Sequence, residues 1–179
     1  MVEQALIYQS LLTGGEWSAQ PAAADAGKDI LAQTVAPEIA DGVAAAPLLY
    51  FAGRNNGVAE ELTLKTGEIA RKKAVYLEGT YALHGVEEVM RSDEALILVE
   101  PYPEEIDKFD KILRQGVGLK VFAIASFDTP FPTLKLPSVP GFDAYLQLMA
   151  GWNVLVTAGL ALGVNLDKPE RARKIGNAV

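Results

Sequence analysis

The chain has 179 residues, 50% of them hydrophobic, a formal net charge of −7, one histidine and no cysteine. That is enough apolar material for a single compact domain with a sizeable core. The acidic balance argues against a nucleic-acid surface, which needs a basic face. Without thiols, disulfides, thiolate metal sites and cysteine nucleophiles are excluded, and a lone histidine leaves little for a zinc or iron centre. No metal and no cofactor is expected.

From the amino end, residues 1–12 read as a helix without a signal-peptide cleavage pattern. SAQPAAADAGK (18–28) reads as a loop entering a second helix, with Pro37 and Gly42 as punctuation. Residues 1–45 therefore read as a helical arm without a strand, or the remnant of a preceding domain, ahead of a main domain over 46–179. LLYFA (48–52) is a buried-strand pattern, followed by helix-period sequence to about Arg71. AVYL (74–77), a short helix near 86–91 and ALILVE (95–100) come next. PEEIDKFDKILRQG has the acid-first, glycine-last polarity of a helix. LKVFAI (119–124) and the weaker, edge-like TLKL (133–136) complete five strands. Continuous apolar strands separated by helices predict an α/β, three-layer αβα sandwich with a mostly parallel, flavodoxin-like sheet. Ligands bind beyond the carboxyl ends of such strands.

The run 142–163 is long enough to cross a bilayer, but Asp143, Gln147 and Asn153 interrupt it, so it reads as a core helix. A cytoplasmic protein with no membrane partner is expected. The apolar surplus of this helix predicts a homodimer interface, shared with the N-terminal arm. The tail after Gly163 is basic, with Lys168, Arg171, Arg173 and Lys174 against Asp167 and Glu170. It reads as a solvated end or as a strap over an anionic ligand.

Three places could carry chemistry. On the helix at 57–71, Val58, Leu62 and Ile69 form an apolar stripe, and Lys65 falls about 40° from its centre. Glu68 follows Lys65 at i+3, so the two side chains can meet, as a surface ion pair or as a catalytic one. His84, before Gly85, sits on a loop at a strand end. FAGRNNG places Gly53, Arg54 and Asn55 at a strand-to-helix turn, a plausible anion cradle. The polar loop ASFDTP falls at the same sheet end. Dinucleotide, P-loop, GxSxG and HExxH patterns are absent.

From about residue 48 onward the sequence resembles the SIS (sugar isomerase) domain family. It is most similar to the second SIS half of the isomerase region of glutamine–fructose-6-phosphate aminotransferases; archaeal-type phosphoglucose/phosphomannose isomerases share the Glu-to-His spacing. The resemblance rests on Phe51, Gly53 and Arg54, then Ala59, Glu61, Leu64, Lys65, Glu68 and Ile69. His84 and Gly85 follow in register, then Tyr145 and Leu146, then Asp167, Pro169 and Lys174.

The resemblance implies a phosphosugar isomerase or aminotransferase acting on a sugar phosphate such as fructose-6-phosphate or glucosamine-6-phosphate. Glu68 would move a proton between C1 and C2 through a cis-enediol, and Lys65 would hold Glu68. His84, from the same or a neighbouring subunit, would serve ring opening, and Lys174 would touch the open-chain sugar. Glu68, Lys65 and Lys174 are expected to converge at the carboxyl end of the sheet. The chain departs from the family at Thr80–Val86, where Gly-Glu-Leu-Lys-His-Gly-Pro is usual, and its tail lacks the Pro-Arg pair and the Ser/Thr ending. It also lacks the serine- and threonine-rich phosphate loops of a first SIS half and the glutaminase half. A non-catalytic sugar-phosphate-binding module, or a half-protein needing a partner SIS half, is therefore the alternative.

Overall fold

A computed structural model of the chain describes residues 18–54 and 56–171. The helix expected at 1–12 lies outside them. Helix α1 (Gln20–Ala32) and helix α2 (Pro37–Ala45) precede strand β1 (Leu48–Gly53). Helix α3 (Val58–Lys65) widens into a π turn over Thr66–Ala70 and leads to β2 (Lys73–Tyr76). Two short 3-10 turns, Tyr81–Leu83 and Val86–Val89, connect β2 to β3 (Ala95–Val99). Helix α4 (Ile106–Phe109) continues as a π segment through Asp110–Val117 to β4 (Lys120–Ala125), followed by β5 (Thr133–Lys135) and α5 (Asp143–Ala161).

The five strands form one sheet of order β2-β1-β3-β4-β5, parallel at every pairing. The expected α/β sandwich of flavodoxin-like order is present, and each predicted strand falls within about a residue of its observed bounds.

The order decides which face each connection covers. A right-handed crossover from β1 to β2 and one from β3 to β4 run in opposite directions across the sheet, so their helices land on opposite faces. On one face α1, α2, α3 and α5 pack Ile30, Val43, Leu62, Val154 and Leu155 against Leu49, Phe51, Ile97 and Ile124. On the other, Ile106, Phe109 and Leu113 of the α4 region pack against Tyr50, Leu96, Leu98 and Val121. The β2–β3 connection moves across the sheet the same way as β3–β4, and its Leu77, Ala82 and Met90 duly join this second face.

The segment read as a loop at 18–28 is instead mostly helix α1. Pro21 stands in its first turn, where the missing N–H is not needed, and the alanines favour helix. Gly42 lies inside α2 rather than ending it. A Cβ there would come 2.3 Å from Phe122 Cζ, so the glycine lets α2 lie against the sheet. Residues of α1 and α2 share one core cluster with α5 and the strands.

Helix α5 is long and apolar enough to cross a membrane by length and composition. In the fold several of its polar side chains are engaged, while the indole N–H of Trp152 is buried without a partner. Buried Gln147 accepts from Asn56 Nδ2 at 2.8 Å, and Asn153 Nδ2 donates to the carbonyls of Ile30 and Gln33. Asp143 accepts from Ser138 and from the Val139 N–H.

Candidate functional site

Two neighbourhoods hold the residues singled out in the sequence, and they lie at opposite ends of the sheet. Helix α3 runs antiparallel to the strands, so its first turn is at their carboxyl ends and its π turn is at their amino ends. Glu68 and Lys65 therefore sit beside the start of β2, not at the carboxyl end as expected. The β-α-β geometry requires this: a side chain five residues before a parallel strand lies where that strand begins.

At the amino end, Lys65 Nζ donates to Glu68 Oε2 at 2.6 Å and lies 3.6 Å from Glu61 Oε1. The bond to Glu68 raises the lysine's pKa against the opposing effect of burial, with smaller help from the charges of Glu68 and Glu61. The lysine side chain is 18% exposed and the glutamate 55%. Lys65 thus follows the apolar stripe with its stem and delivers its charge at the rim. Thr66 Oγ1 donates back to the Leu62 carbonyl, a bond that competes with the regular ladder where the helix widens. Such π turns recur at functional sites.

Glu68 lines a groove of ≈ 900 Å³ with Gly67, Arg71, Lys72 and Lys73 on one side and Leu166, Pro169, Glu170 and Arg171 on the other. The far wall is the tail. Arg71 bonds Glu170 through its guanidinium and donates to the carbonyls of Asn165 and Lys168 at 3.0 and 2.8 Å. Lys72 Nζ donates to the Ala44 carbonyl at 2.8 Å, and burial lowers its pKa. Lys174 lies outside the described residues.

At the carboxyl end, Gly53 has φ +122, and a Cβ would meet the Val99 carbonyl at 2.0 Å. Only glycine lets β1 turn away so close to β3. The Arg54 N–H donates to that same carbonyl at 3.0 Å, and its guanidinium lies over the Tyr102 ring, 5.1 Å from the centroid. Asn55 lies outside the described residues. Its neighbour Asn56 accepts from the Val58 N–H at the start of α3 while bonding Gln147. Glu100, at φ 44, receives the Ser126 N–H and hydroxyl at 2.9 and 2.6 Å. Those are donors an anion would want, and the protein's own carboxylate holds them.

His84 belongs to this carboxyl side, in the turn after β2. It is exposed, 3.2 Å from Thr80 Oγ1 and edge-on to Tyr81. Within one chain the structure unites Lys65, Glu68 and the root of the tail at one end of the sheet, and places Gly53, Arg54 and the loop of His84 at the other, where the Gly53 N–H donates to the Gly79 carbonyl. Arg71, Asn56, Glu100 and Ser126 were not named as site residues from the sequence, although Asn56 lies in the FAGRNNG turn and Ser126 in the ASFDTP loop. Gln147 carried a signal only as a polar residue in the apolar run of a core helix. Among the described residues no group of acidic, histidine or cysteine side chains is placed to hold a metal ion.

No protein-family model matches the chain, and no curated protein sequence does. Solved structures do. The chain is similar to the C-terminal domain of glucosamine-fructose-6-phosphate aminotransferase from Francisella tularensis, at 19% identity and TM-score 0.59, over 82% of this chain and 43% of that one. It is similar to tagatose-6-phosphate ketose/aldose isomerase from Escherichia coli, at 21% identity and TM-score 0.64, over 84% and 47%. It also resembles the sugar isomerase domain of the RpiR transcription factor from Sphaerobacter thermophilus, at 12% identity and TM-score 0.58, over 81% and 89%. The chain thus spans under half the length of the first two and most of the third. What this likeness establishes is the fold.

Proposed function

Because the chain has the fold of a sugar isomerase domain, we propose that it handles a sugar phosphate, with Glu68 as the base that carries a proton between C1 and C2 through a cis-enediol. One base must reach both carbons, and a carboxylate held by a cation can do so. The observation that carries the reading is the Lys65–Glu68 bond on the π turn, opening on a groove whose far wall is the tail. Lys65 steadies the carboxylate and offers charge to the developing oxyanion. Lys174 on that tail would meet the open-chain sugar.

His84 would act at the ring oxygen. Since it lies at the other end of the sheet, a shared site needs His84 of a second copy or of a partner sugar isomerase half. The exposure of Glu68 supports the same reading, because a general base works best when a covering surface excludes water. A homodimer, or a complex with a half that carries phosphate loops, would supply that cover.

The experiment is turnover of fructose-6-phosphate and glucosamine-6-phosphate by the parent and by Glu68→Gln. The variant should lose turnover by about 10²–10⁴-fold while calorimetry still detects ligand. Equal turnover by both removes Glu68 from the chemistry. The second reading, a sugar-phosphate-binding module without turnover, is favoured by the likeness to a transcription-factor domain. Binding by a parent that turns over neither sugar would select it.

A further inference from the structure

Arg71 ends the π turn of α3 at φ 53, a left-handed conformation that a long side chain keeps only when its surroundings hold it. The two ends of its guanidinium fork have different partners. Nη2 donates to the carbonyls of Asn165 and Lys168 at 3.0 and 2.8 Å. Nη1 donates to the Glu170 carboxylate. The carbonyl side is fixed by more than Arg71. A Cβ on Gly159 would lie 3.1 Å from Leu166 Cδ2 and 3.2 Å from the Ile69 carbonyl, so the glycine opens the place where Leu166 packs between α5 and the end of α3. The Val164 N–H donates to the Gly159 carbonyl at 2.9 Å, and the Asp167 N–H to Asn165 Oδ1 at 3.1 Å. Residues 164–168 are therefore anchored without Glu170, and the guanidinium keeps its aim if that carboxylate moves away.

The carboxylate side is held loosely. The Glu170 side chain is 72% exposed against 29% for Arg71, and an ion pair so exposed contributes little. Four cationic side chains, Arg71, Lys72, Lys73 and Arg171, line this groove with two carboxylates, Glu68 and Glu170. Glu68 is already paired with Lys65. In a chain of net charge −7 this is a local excess of positive charge beside the proposed base. The groove's ≈ 900 Å³ is within the range that small ligands occupy. An arginine fork matches phosphate oxygens as it matches a carboxylate, and a phosphate monoester carries more negative charge than a carboxylate at neutral pH.

We propose that Arg71 is the phosphate-binding residue of this groove and that Glu170 is its internal placeholder, displaced when a sugar phosphate binds. Nη1 passes from the Glu170 carboxylate to the phosphate, while Nη2 stays on its two carbonyls. Glu68 stands three residues before Arg71 on the same turn, so a phosphate at Arg71 sets the carbons of an open-chain sugar along the stretch of groove that Glu68 lines. The anion site stands on the contacts above; the sugar as its cargo rests on the role proposed for Glu68. The assignment gives this chain a phosphate anchor of its own at the amino ends of the strands, in place of the serine- and threonine-rich loops it lacks.

The test is calorimetric titration of the parent, Arg71→Gly and Glu170→Ala with inorganic phosphate, fructose-6-phosphate and fructose. Glycine suits the left-handed backbone and Glu170 is exposed, so neither change puts the fold at risk. Arg71→Gly should weaken phosphate and fructose-6-phosphate by about tenfold or more, the loss expected for a bond between charged groups. Glu170→Ala should tighten both roughly two- to fivefold, because the competing ion pair is gone. Fructose, which lacks the anion, should bind about tenfold or more weakly than its phosphate. Equal affinities in the parent and Arg71→Gly overturn the anion site, as does an absence of phosphate binding by Glu170→Ala. Unchanged or weaker binding by Glu170→Ala overturns the exchange, since a residue that only fastened the tail would not compete with the ligand. Titrations as expected, with Glu68→Gln turning over like the parent, remove the base and keep the anion site. Failed titrations with turnover lost in Glu68→Gln keep the base and overturn Arg71 as its phosphate anchor.

Discussion

Tyr50 is in the middle of β1, its ring in the core and its hydroxyl donating to Glu94 Oε2 at 3.0 Å. Burial, then the bond to Glu94 and its charge, push the phenol up from 10.0 to about 12. The native state thus keeps a proton that the unfolded chain releases first. The stability this contributes is complete below pH 10 and is lost as pH rises toward 12. Tyr50→Phe should remove that alkaline decline, seen in urea midpoints measured from pH 8 upward. At neutral pH it should cost about 1–3 kcal/mol, because buried Glu94 keeps only the Arg91 N–H. A neutral-pH midpoint equal to the parent's would mean the phenol is not bonded. Gly53→Ala is a harsher change, since both the φ of +122 and the Val99 carbonyl oppose it. It should lower the thermal midpoint and displace the Arg54 ring contact, read by fluorescence of Tyr102.

Helices α3 and α5 cross at a point where neither could tolerate one more methyl group. A Cβ on Gly151 would come 2.3 Å from Leu62 Cδ1, and Leu62 is fully buried. Gly151→Ala should therefore cost about 1–3 kcal/mol in denaturant unfolding. Because α3 carries Lys65 and Glu68, the same substitution should shift the groove and lower kcat. Loss of stability without any change in turnover would show that the crossing does not set the site. The strands and α5 were legible because a buried parallel strand must be apolar throughout, and a core helix shows apolar residues on several faces. Helix α1 was not, because Pro21, Gly27 and the aspartate resemble a loop until one sees Gly27 beneath Met149.

For the molecule as a whole, the expected homodimer is a matter for solution measurement. Leu160 and Leu162, at the end of α5, are 62% and 44% exposed, and Leu64 beside Lys65 is 59% exposed. If α5 builds the interface, light scattering should give a dimer that Leu160→Lys with Leu162→Lys converts to a monomer. Sharing of sites has its own signature. Mixing Glu68→Gln with His84→Ala, each inactive alone, should restore about a quarter of the parent's turnover in a two-fold dimer, because half the dimers are mixed and each has one intact site. No recovery would place Glu68 and His84 in separate tasks.

The sequence by itself determined the sheet, its parallel sense and the pairing of Lys65 with Glu68. These follow from local periodicity and from i, i+3 geometry, and three residues on one helix have little freedom. Only the tertiary structure decided which end of the sheet each candidate occupies. It put Glu68 at the amino ends and His84 past the carboxyl end of β2, because the helix between β1 and β2 reverses direction. Only the fold could reveal the partners of Arg71 and Glu100. Arg71 meets residues nearly a hundred positions away, and Ser126 reaches Glu100 across neighbouring strands. Contacts of that separation leave no periodic trace, since the packing of α5 and the strand order create them.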